Sequence, residues 1–153
     1  MSIKKSCAHC EAKGEDRLWS GRLLRVVLVH DSDFEGWCRV IVNDHVSELT
    51  DLSKGDRHTV LEAVVALEEA LRAELTPVKI NIASLGTAAP HLHFHVVPRF
   101  ADDPTFPEPV WLPPARVTTR SLPDGFHDRM QRRLAEALGP ATSDLQVSNS
   151  EAR

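Results

Sequence analysis

The ten residues PHLHFHVVPR, at positions 90–99, constrain the fold more than any other part of this chain. Histidine alternates there with apolar side chains. Because successive side chains of a β-strand point to opposite faces, the pattern predicts a strand with His91, His93 and His95 on one face. The intervening apolar residues would pack against a helix, and the histidines would face a solvent-accessible cleft.

Three same-face histidines allow three interpretations: a polar surface without chemistry, a shared metal site, or a division of labour. Same-face residues lie about 6.6 Å apart along a strand, so the outer pair is about 13 Å apart at Cα. One zinc ion, which holds nitrogens at about 2.0–2.1 Å, suits that pair poorly. We therefore expect one end of the row to take a metal, the middle to attack, and the other end to bind substrate. An unperturbed pKa near 6.5 suits histidine to nucleophilic work at neutral pH.

The rest of the chain indicates an α+β domain with an antiparallel sheet of about five strands, one long helix and a C-terminal helix. Apolar residues recur in steps of three and four after a capping Ser53, which predicts a helix that ends at Pro77. We expect one domain over residues 1–140 and a disordered tail over 141–153. Strands are predicted at 17–19, 23–30, 37–43, 79–85 and the histidine segment, a proline-rich loop at 98–114, and a last helix from about 124 to 139.

Composition excludes several classes of partner. The 153 residues carry a formal net charge of −4, which argues against nonspecific binding to nucleic acid. The sequence contains no apolar run near the roughly 20 residues that a membrane span needs, and no apolar core of a secretory signal. Three cysteines without an export signal argue against a disulfide framework, so we expect a cytoplasmic protein.

The motif HLHFHVV matches the H-φ-H-φ-H-φ-φ signature of the histidine triad (HIT) superfamily of nucleotide hydrolases and transferases, which this chain resembles. The resemblance extends to flanking segments. GWCRVIVNDH, at 36–45, resembles the family's G-H-x-L-V-I-P-K-x-H strand, and KINIASLG resembles its strand with an asparagine before the triad. The later RFADDPTFPEPVW is similar to a bacterial branch described as diadenosine-tetraphosphate-hydrolase-like.

This resemblance implies a homodimer with continuous sheets and a nucleotide substrate, with adenine favoured as the base. It implies that His91, His93 and His95 form the catalytic triad, in which His93 attacks the α-phosphorus and forms a nucleotidyl-histidine without a metal at the phosphate. His95 would lie near the phosphate oxygens. Asn81 would help to hold the substrate.

The ribose-binding residue stays open between His30 and Asp31, of which we prefer Asp31. The alternative role for either residue is simple turn capping.

The N-terminal CAHC segment allows a redox pair, a metal clip or no role for Cys7 and Cys10. A redox pair is expected near a βαβ pattern, which is absent from this part of the sequence. In zinc-bearing relatives the other two ligands occupy the positions of His45 and His91. The resemblance therefore implies a closed structural zinc site, with His9 as an exposed bystander.

The sequence departs from the family pattern at positions that bear on the substrate. Trp37 replaces the usual histidine, and Thr87-Ala88-Ala89-Pro90 replaces a glutamine and a serine or threonine that commonly bind phosphate or leaving group. The leaving group therefore stays open. A hydrolase of polyphosphates or phosphoramidates is our first hypothesis. A nucleotidyltransferase, a regulatory scaffold with little turnover and a simple metal-binding module are the alternatives.

Overall fold

A computed structural model describes residues 6–30 and 32–142 of this chain. Its elements are α1 (Ala8–Glu11), β1 (Asp16–Ser20), β2 (Leu24–Leu28), β3 (Cys38–Val42), α2 (Lys54–Leu75), β4 (Lys79–Ala83), β5 (His93–Arg99) and α3 (Phe126–Leu138). A short 3-10 turn at Leu49–Asp51 precedes α2. The five strands form one antiparallel sheet in the order β1-β2-β3-β5-β4, which confirms the predicted α+β class.

The long helix α2 covers one face of the sheet. Ser53 caps it, because its side chain accepts a hydrogen bond from the amide of Asp56. The helical stripe that includes Leu67 and Leu71 is fully buried against strand residues such as Phe94 and Val96. Burying one such leucine contributes about 1.5–3 kcal/mol, so this stripe fixes the helix on the sheet.

The C-terminal helix α3 packs on both α2 and β1. Phe126, Met130 and Leu134 form its buried stripe, as the spacing of the apolar residues predicts. Glu74 of α2 accepts hydrogen bonds from Arg129 and the neighbouring Arg133 at 2.6 Å each, which ties the two helices together. Within the residues that the structure describes, neither helix is long and apolar enough to cross a bilayer.

The proline-rich prediction was wrong at its first residue, because Pro98 lies inside β5. The pairing of β5 with β3 ends at Val96, opposite Cys38. At Pro98 the strand therefore has only β4 beside it, where Ile80 is its partner. A residue without an amide hydrogen is tolerated at such an edge-like position. Residues 143–153 of the predicted tail lie outside the described residues.

Candidate functional site

The histidine segment is shorter as a strand than predicted. β5 begins at His93, and His91 lies in a bend just before it. His93 and His95 share one sheet face, opposite Ile41 and Arg39 of β3, and we call this the histidine face. The expected exposure was wrong for two residues, because His91 is 1% exposed and His93 is 5% exposed. Leaving the strand allows the His91 ring to turn away from the other two.

The ring of His91 instead meets the N-terminal cysteines. Its Nδ1 lies 3.4 Å from Sγ of Cys7 and 3.5 Å from Sγ of Cys10. Nδ1 of His45 lies 3.3 Å from the Cys10 sulfur and 3.3 Å from Nδ1 of His91. All four ligand atoms lie within 4.8 Å of one another. The short helix α1 brings both cysteines to this cluster from the far end of the chain.

The donor set of this cluster fits zinc. Two thiolates and two imidazoles form a common closed tetrahedral site, with Zn–S about 2.3 Å and Zn–N about 2.0–2.1 Å. A tetrahedron of those bond lengths places its nitrogens and sulfurs about 3.4–3.8 Å apart. The four ligand-to-ligand distances given above, 3.3–3.5 Å, agree with this geometry. The four residues could therefore hold a zinc ion.

One hydrogen bond orients His91 for that role. Its Nε2 lies 2.5 Å from the carbonyl oxygen of Val42. A carbonyl only accepts, so Nε2 carries the ring proton and Nδ1 presents its lone pair to the cluster. Burial and the nearby His45 hold the pKa of His91 below its ordinary value, although the Val42 hydrogen bond opposes this. A neutral imidazole is the form that binds metal.

A carbonyl oxygen also determines which nitrogen of His93 carries the proton. Its Nδ1 lies 2.6 Å from the carbonyl oxygen of His91, so Nδ1–H donates and Nε2 keeps a lone pair. Burial lowers the pKa of His93, and the positive charge of Arg39 lowers it further against the opposing backbone hydrogen bond. His93 is therefore neutral at neutral pH, with an unprotonated nitrogen on the histidine face.

His95 has the complementary arrangement. The indole Nε1–H of Trp37 donates to its Nδ1 at 3.1 Å, so the proton of the His95 ring is on Nε2. That Nε2 lies 3.2 Å from Nε2 of His93. Burial, then the charges of His93 and Arg39, lower the pKa of His95 to about 4. The pair thus presents one nitrogen lone pair and one N–H donor side by side.

Gly36 fixes the position of the Trp37 indole. Its φ of 83° is a left-handed conformation that suits glycine. A Cβ atom there would also lie 2.6 Å from a methyl group of Leu75 and 3.0 Å from Pro98. The chain therefore needs glycine where it enters β3, immediately before the residue that contacts His95.

His9 is partly buried, so the expectation of an exposed bystander was wrong. Its ring centroid lies 4.5 Å from that of His93, with the planes tilted by 47°. The backbone oxygen of His9 accepts a hydrogen bond from Arg25 at 2.6 Å. The sequence indicates this through the position of His9 between two potential metal ligands. When both cysteines bind one metal, the residues between them are also held in place.

Asn81, for which a substrate-holding role stays a prediction, lines the same pocket as His95. Its Oδ1 accepts a hydrogen bond from Arg99 at 2.6 Å, which directs the amide nitrogen the other way. Arg99 itself is buried and bound by Asp103 at 2.7 and 3.1 Å. This arginine is therefore a structural residue, and its role is to orient Asn81.

The pocket beside these residues has a volume of about 800 Å³. It lies over β4 and the His95 end of β5, and Trp111 of the proline-rich segment closes one side. The preferred ribose-binding residue, Asp31, lies outside the described residues. The alternative, His30, is hydrogen-bonded to Asp16 at 2.5 Å.

An antiparallel sheet that carries paired histidines on an inner strand defines a histidine-triad class of protein. The family model of the HIT domain matches residues 16–102, more than half of the chain, and the chain therefore belongs to the HIT family. Proteins of this family bind nucleotides. A comparison with curated proteins finds no match.

Solved structures agree on the fold. A histidine triad protein from Marinobacter aquaeolei VT8 is 25% identical, with 90% of this chain and 99% of that chain covered and a TM-score of 0.71. One from Bradyrhizobium japonicum is 22% identical, covers 87% of this chain and 97% of its own, and has a TM-score of 0.68. A histidine triad family protein from Mycobacterium smegmatis, described as Zn-bound, is 24% identical over 95% and 98% of the chains, with a TM-score of 0.56.

Proposed function

We propose that this protein is a nucleotide hydrolase that cleaves at the α-phosphate of a nucleoside polyphosphate or phosphoramidate, similar to the bacterial diadenosine-tetraphosphate hydrolases. Nε2 of His93 forms a bond to phosphorus while the bond to the leaving oxygen or nitrogen breaks. Water then displaces Nε2 and releases the nucleoside monophosphate. Each of the two displacements inverts the configuration at phosphorus, and the intermediate between them is a nucleotidyl-histidine.

The observation that carries this proposal is the proton arrangement of His93 and His95. The Nδ1–H of His93 is held by a backbone oxygen, which leaves Nε2 as the nucleophile. The Nε2–H of His95 points to Nε2 of His93 in the free protein and would turn to a phosphate oxygen in the complex, where negative charge develops during attack. A pKa of about 4 keeps His95 neutral at neutral pH, and the hydrogen bonds to Trp37 and to the His91 oxygen select the tautomers of the two rings.

Substrate binding draws on two further residues. The amide nitrogen of Asn81 has no hydrogen-bond partner among the residues described here and lines the pocket, which suits it to a phosphate or ribose oxygen. Asp31 stays a prediction for the ribose hydroxyls. An adenine nucleotide is the favoured substrate, on the strength of the motif resemblance alone.

A structural zinc ion bound by Cys7, Cys10, His45 and His91 completes the proposed site. The Zn-bound relative from Mycobacterium smegmatis supports this assignment, as does the ligand spacing. His91 then belongs to two sites at once, since its backbone oxygen holds His93 while its ring binds the metal. Zinc, when bound, would cross-link the N-terminal segment to the sheet. The metal would take no part in the reaction at phosphorus.

We also propose that the chain forms one domain over residues 1–140 and assembles as a homodimer through β4. In the described sheet β4 has one neighbouring strand, so its outer edge is available for pairing. Ile82 on this strand is 44% exposed. Ile82→Lys should convert a species of twice 17.0 kDa into one of 17.0 kDa in sedimentation experiments, whereas Val117→Lys, at a residue 94% exposed, should not.

The decisive experiment for the activity replaces the nucleophile. His93→Asn should retain AMP binding but hydrolyse diadenosine tetraphosphate and AMP-lysine phosphoramidate at least about 10³-fold more slowly. His58→Asn, at an exposed histidine of α2, is the matched control. Mass spectrometry after an alkaline quench should detect nucleotidyl-histidine on the wild type. A folded His93→Asn variant with wild-type rates would refute the proposal, and nucleotide binding without turnover would favour the scaffold alternative.

A further inference from the structure

Arg39 is an unpaired cation on the histidine face. It lies directly opposite His95 in the pairing of β3 with β5, and it lines the same pocket. The side chain is partly buried, and its Nε is buried without a hydrogen-bond partner. Across residues 6–30 and 32–142, the structure gives Arg39 no hydrogen bond and no ion pair.

The neighbouring arginines of this face are compensated. Arg25 is bound by Glu15 at 2.6 Å, and Arg99 is bound by Asp103 at 2.7 Å. Arg39 forms no ion pair in the described structure: the charge of Glu15 acts on it, but that carboxylate is bound by Arg17 and Arg25. A buried guanidinium donor without a partner is destabilising. An uncompensated cation in the wall of a pocket is explained if an anionic ligand binds in the pocket and pairs with it.

The position of Arg39 along the strand indicates which part of a ligand it meets. His93 pairs with Ile41, and Arg39 lies one same-face step further along β3, about 6.6 Å away. The pocket extends from Arg39 and His95 toward Asn81, away from His93. A group attached to the reacting phosphorus and directed into the pocket therefore passes Arg39.

The segment before the triad supplies no polar side chain at two further positions. Ala88 and Ala89 cannot donate a side-chain hydrogen bond, and they stand where the family resemblance expects polar residues. Lys79 lines the pocket as a second cation without an ion pair in the described structure. The pocket lining thus carries the cations Arg39 and Lys79 against one carboxylate, Glu68, which favours an anionic group in it.

We propose that Arg39 binds the phosphate that departs when His93 attacks, and that the protein consequently prefers nucleoside polyphosphates to phosphoramidates. The inference rests on the proposed hydrolase function and narrows its substrate class. When the P–O bond breaks, the leaving phosphate keeps the electron pair and gains negative charge, which the guanidinium stabilises. The amine that leaves a phosphoramidate must instead take a proton, and a fixed cation does not assist it.

The test compares both substrates in matched variants. Arg39→Met should lower kcat/KM for diadenosine tetraphosphate by about 10- to 100-fold, the range for a charged hydrogen bond, but should change that for AMP-lysine phosphoramidate by less than about 3-fold. Arg39→Lys should retain part of the preference. Arg22→Met removes a cation that is 85% exposed and should alter neither rate. Equal losses on both substrates would overturn the proposal.

A binding measurement separates this inference from the hydrolase proposal. By calorimetry, wild-type protein should bind α,β-methylene-ADP more tightly than AMP, and Arg39→Met should abolish that difference. A difference that survives the substitution refutes the role of Arg39 whether or not the protein turns over. Absence of turnover in wild type refutes the hydrolase proposal alone. Thermal unfolding should show Arg39→Met to be at least as stable as wild type, because the substitution removes an unpaired buried donor.

Discussion

The indole nitrogen of Trp37 and Nδ1 of His95 are joined by a 3.1 Å hydrogen bond that determines which His95 nitrogen carries the proton. An indole nitrogen only donates, so the bond selects the Nε2–H tautomer and directs that hydrogen toward His93. Tryptophan here replaces the histidine of the family pattern. Unlike histidine, it can hold the His95 ring in only one tautomer.

Trp37→Phe should lower kcat by about 5- to 10-fold with little change in KM, because it removes one hydrogen bond and frees the tautomer of His95. Nitrogen-15 NMR of the histidine rings should show His95 in mixed tautomers in this variant. Trp111→Phe, at an exposed indole of the same pocket, serves as the control. Equal losses of activity in the two variants would contradict a role of Trp37 in selecting the His95 tautomer.

The tilted ring contact between His9 and His93 predicts a dependence on ring shape. His9→Ala should reduce kcat by about 2- to 10-fold, since an aromatic contact of this kind is worth about 0.5–1.5 kcal/mol and restrains the nucleophile. His9→Phe should retain most of the activity because it keeps the ring. Steady-state kinetics on both variants checks this, and equally impaired variants would point to a chemical role for the imidazole instead.

Zinc binding should depend on Cys7 and not on Cys38. Protein purified without chelator should contain about one zinc per chain by elemental analysis, and Cys7→Ser should lose it because zinc requires all four ligands. A chelator should lower the Tm of the wild type but not that of Cys7→Ser, as metal binding contributes directly to stability. Cys38→Ala removes the buried thiol outside the cluster and is the matched control. Wild-type protein without zinc would contradict the assignment.

The buried pair of Asp103 and Arg99 predicts a pH-dependent contribution to stability. Burial raises the pKa of Asp103, but hydrogen bonds from Arg99 and from the amides of Phe100 and Phe106 outweigh it and hold the pKa below its usual value. A lowered folded-state pKa stabilises the protein above the unfolded-state pKa of about 3.9, and this stabilisation is lost as the pH falls through the folded-state value.

Asp103→Asn should therefore lower the free energy of unfolding by about 3–5 kcal/mol at neutral pH, because it leaves Arg99 buried and unpaired. The difference from wild type should shrink below about pH 4. Asp102→Asn, at the adjacent and largely exposed carboxylate, should have only a small effect. Denaturant unfolding across this pH range is the measurement. A difference that stays constant with pH would exclude the charged pair as its cause.

Much of the architecture could be predicted because it follows from periodicity. The apolar steps from Val60 to Leu75 correspond to the buried side of α2, and the Phe126 stripe corresponds to α3. Strand ends were predicted less well, since pairing decides them. β4 stops at Ala83 rather than at 85, and β5 begins at His93 rather than at His91.

The candidate site was only partly predictable for the same reason. Motif positions named His93, His95 and Asn81, whose roles stay predictions. They also named the four zinc-cluster residues that the structure brings together. Nothing in the sequence links Arg39 with His95, because they lie far apart along the chain and only the antiparallel register places them opposite one another.

The alternation of histidine and apolar residues by itself determined that a strand carries the site and that its other face is core. This follows from local backbone geometry, which the motif obeys from His93 onward, where β5 begins. Tertiary structure alone decided which nitrogen of each ring carries a proton, and that His9, Trp37 and Arg39 surround the pair. Those properties depend on partners that are distant in sequence, such as the backbone oxygen of Val42 or the indole of Trp37, and only folding brings these partners within hydrogen-bonding distance.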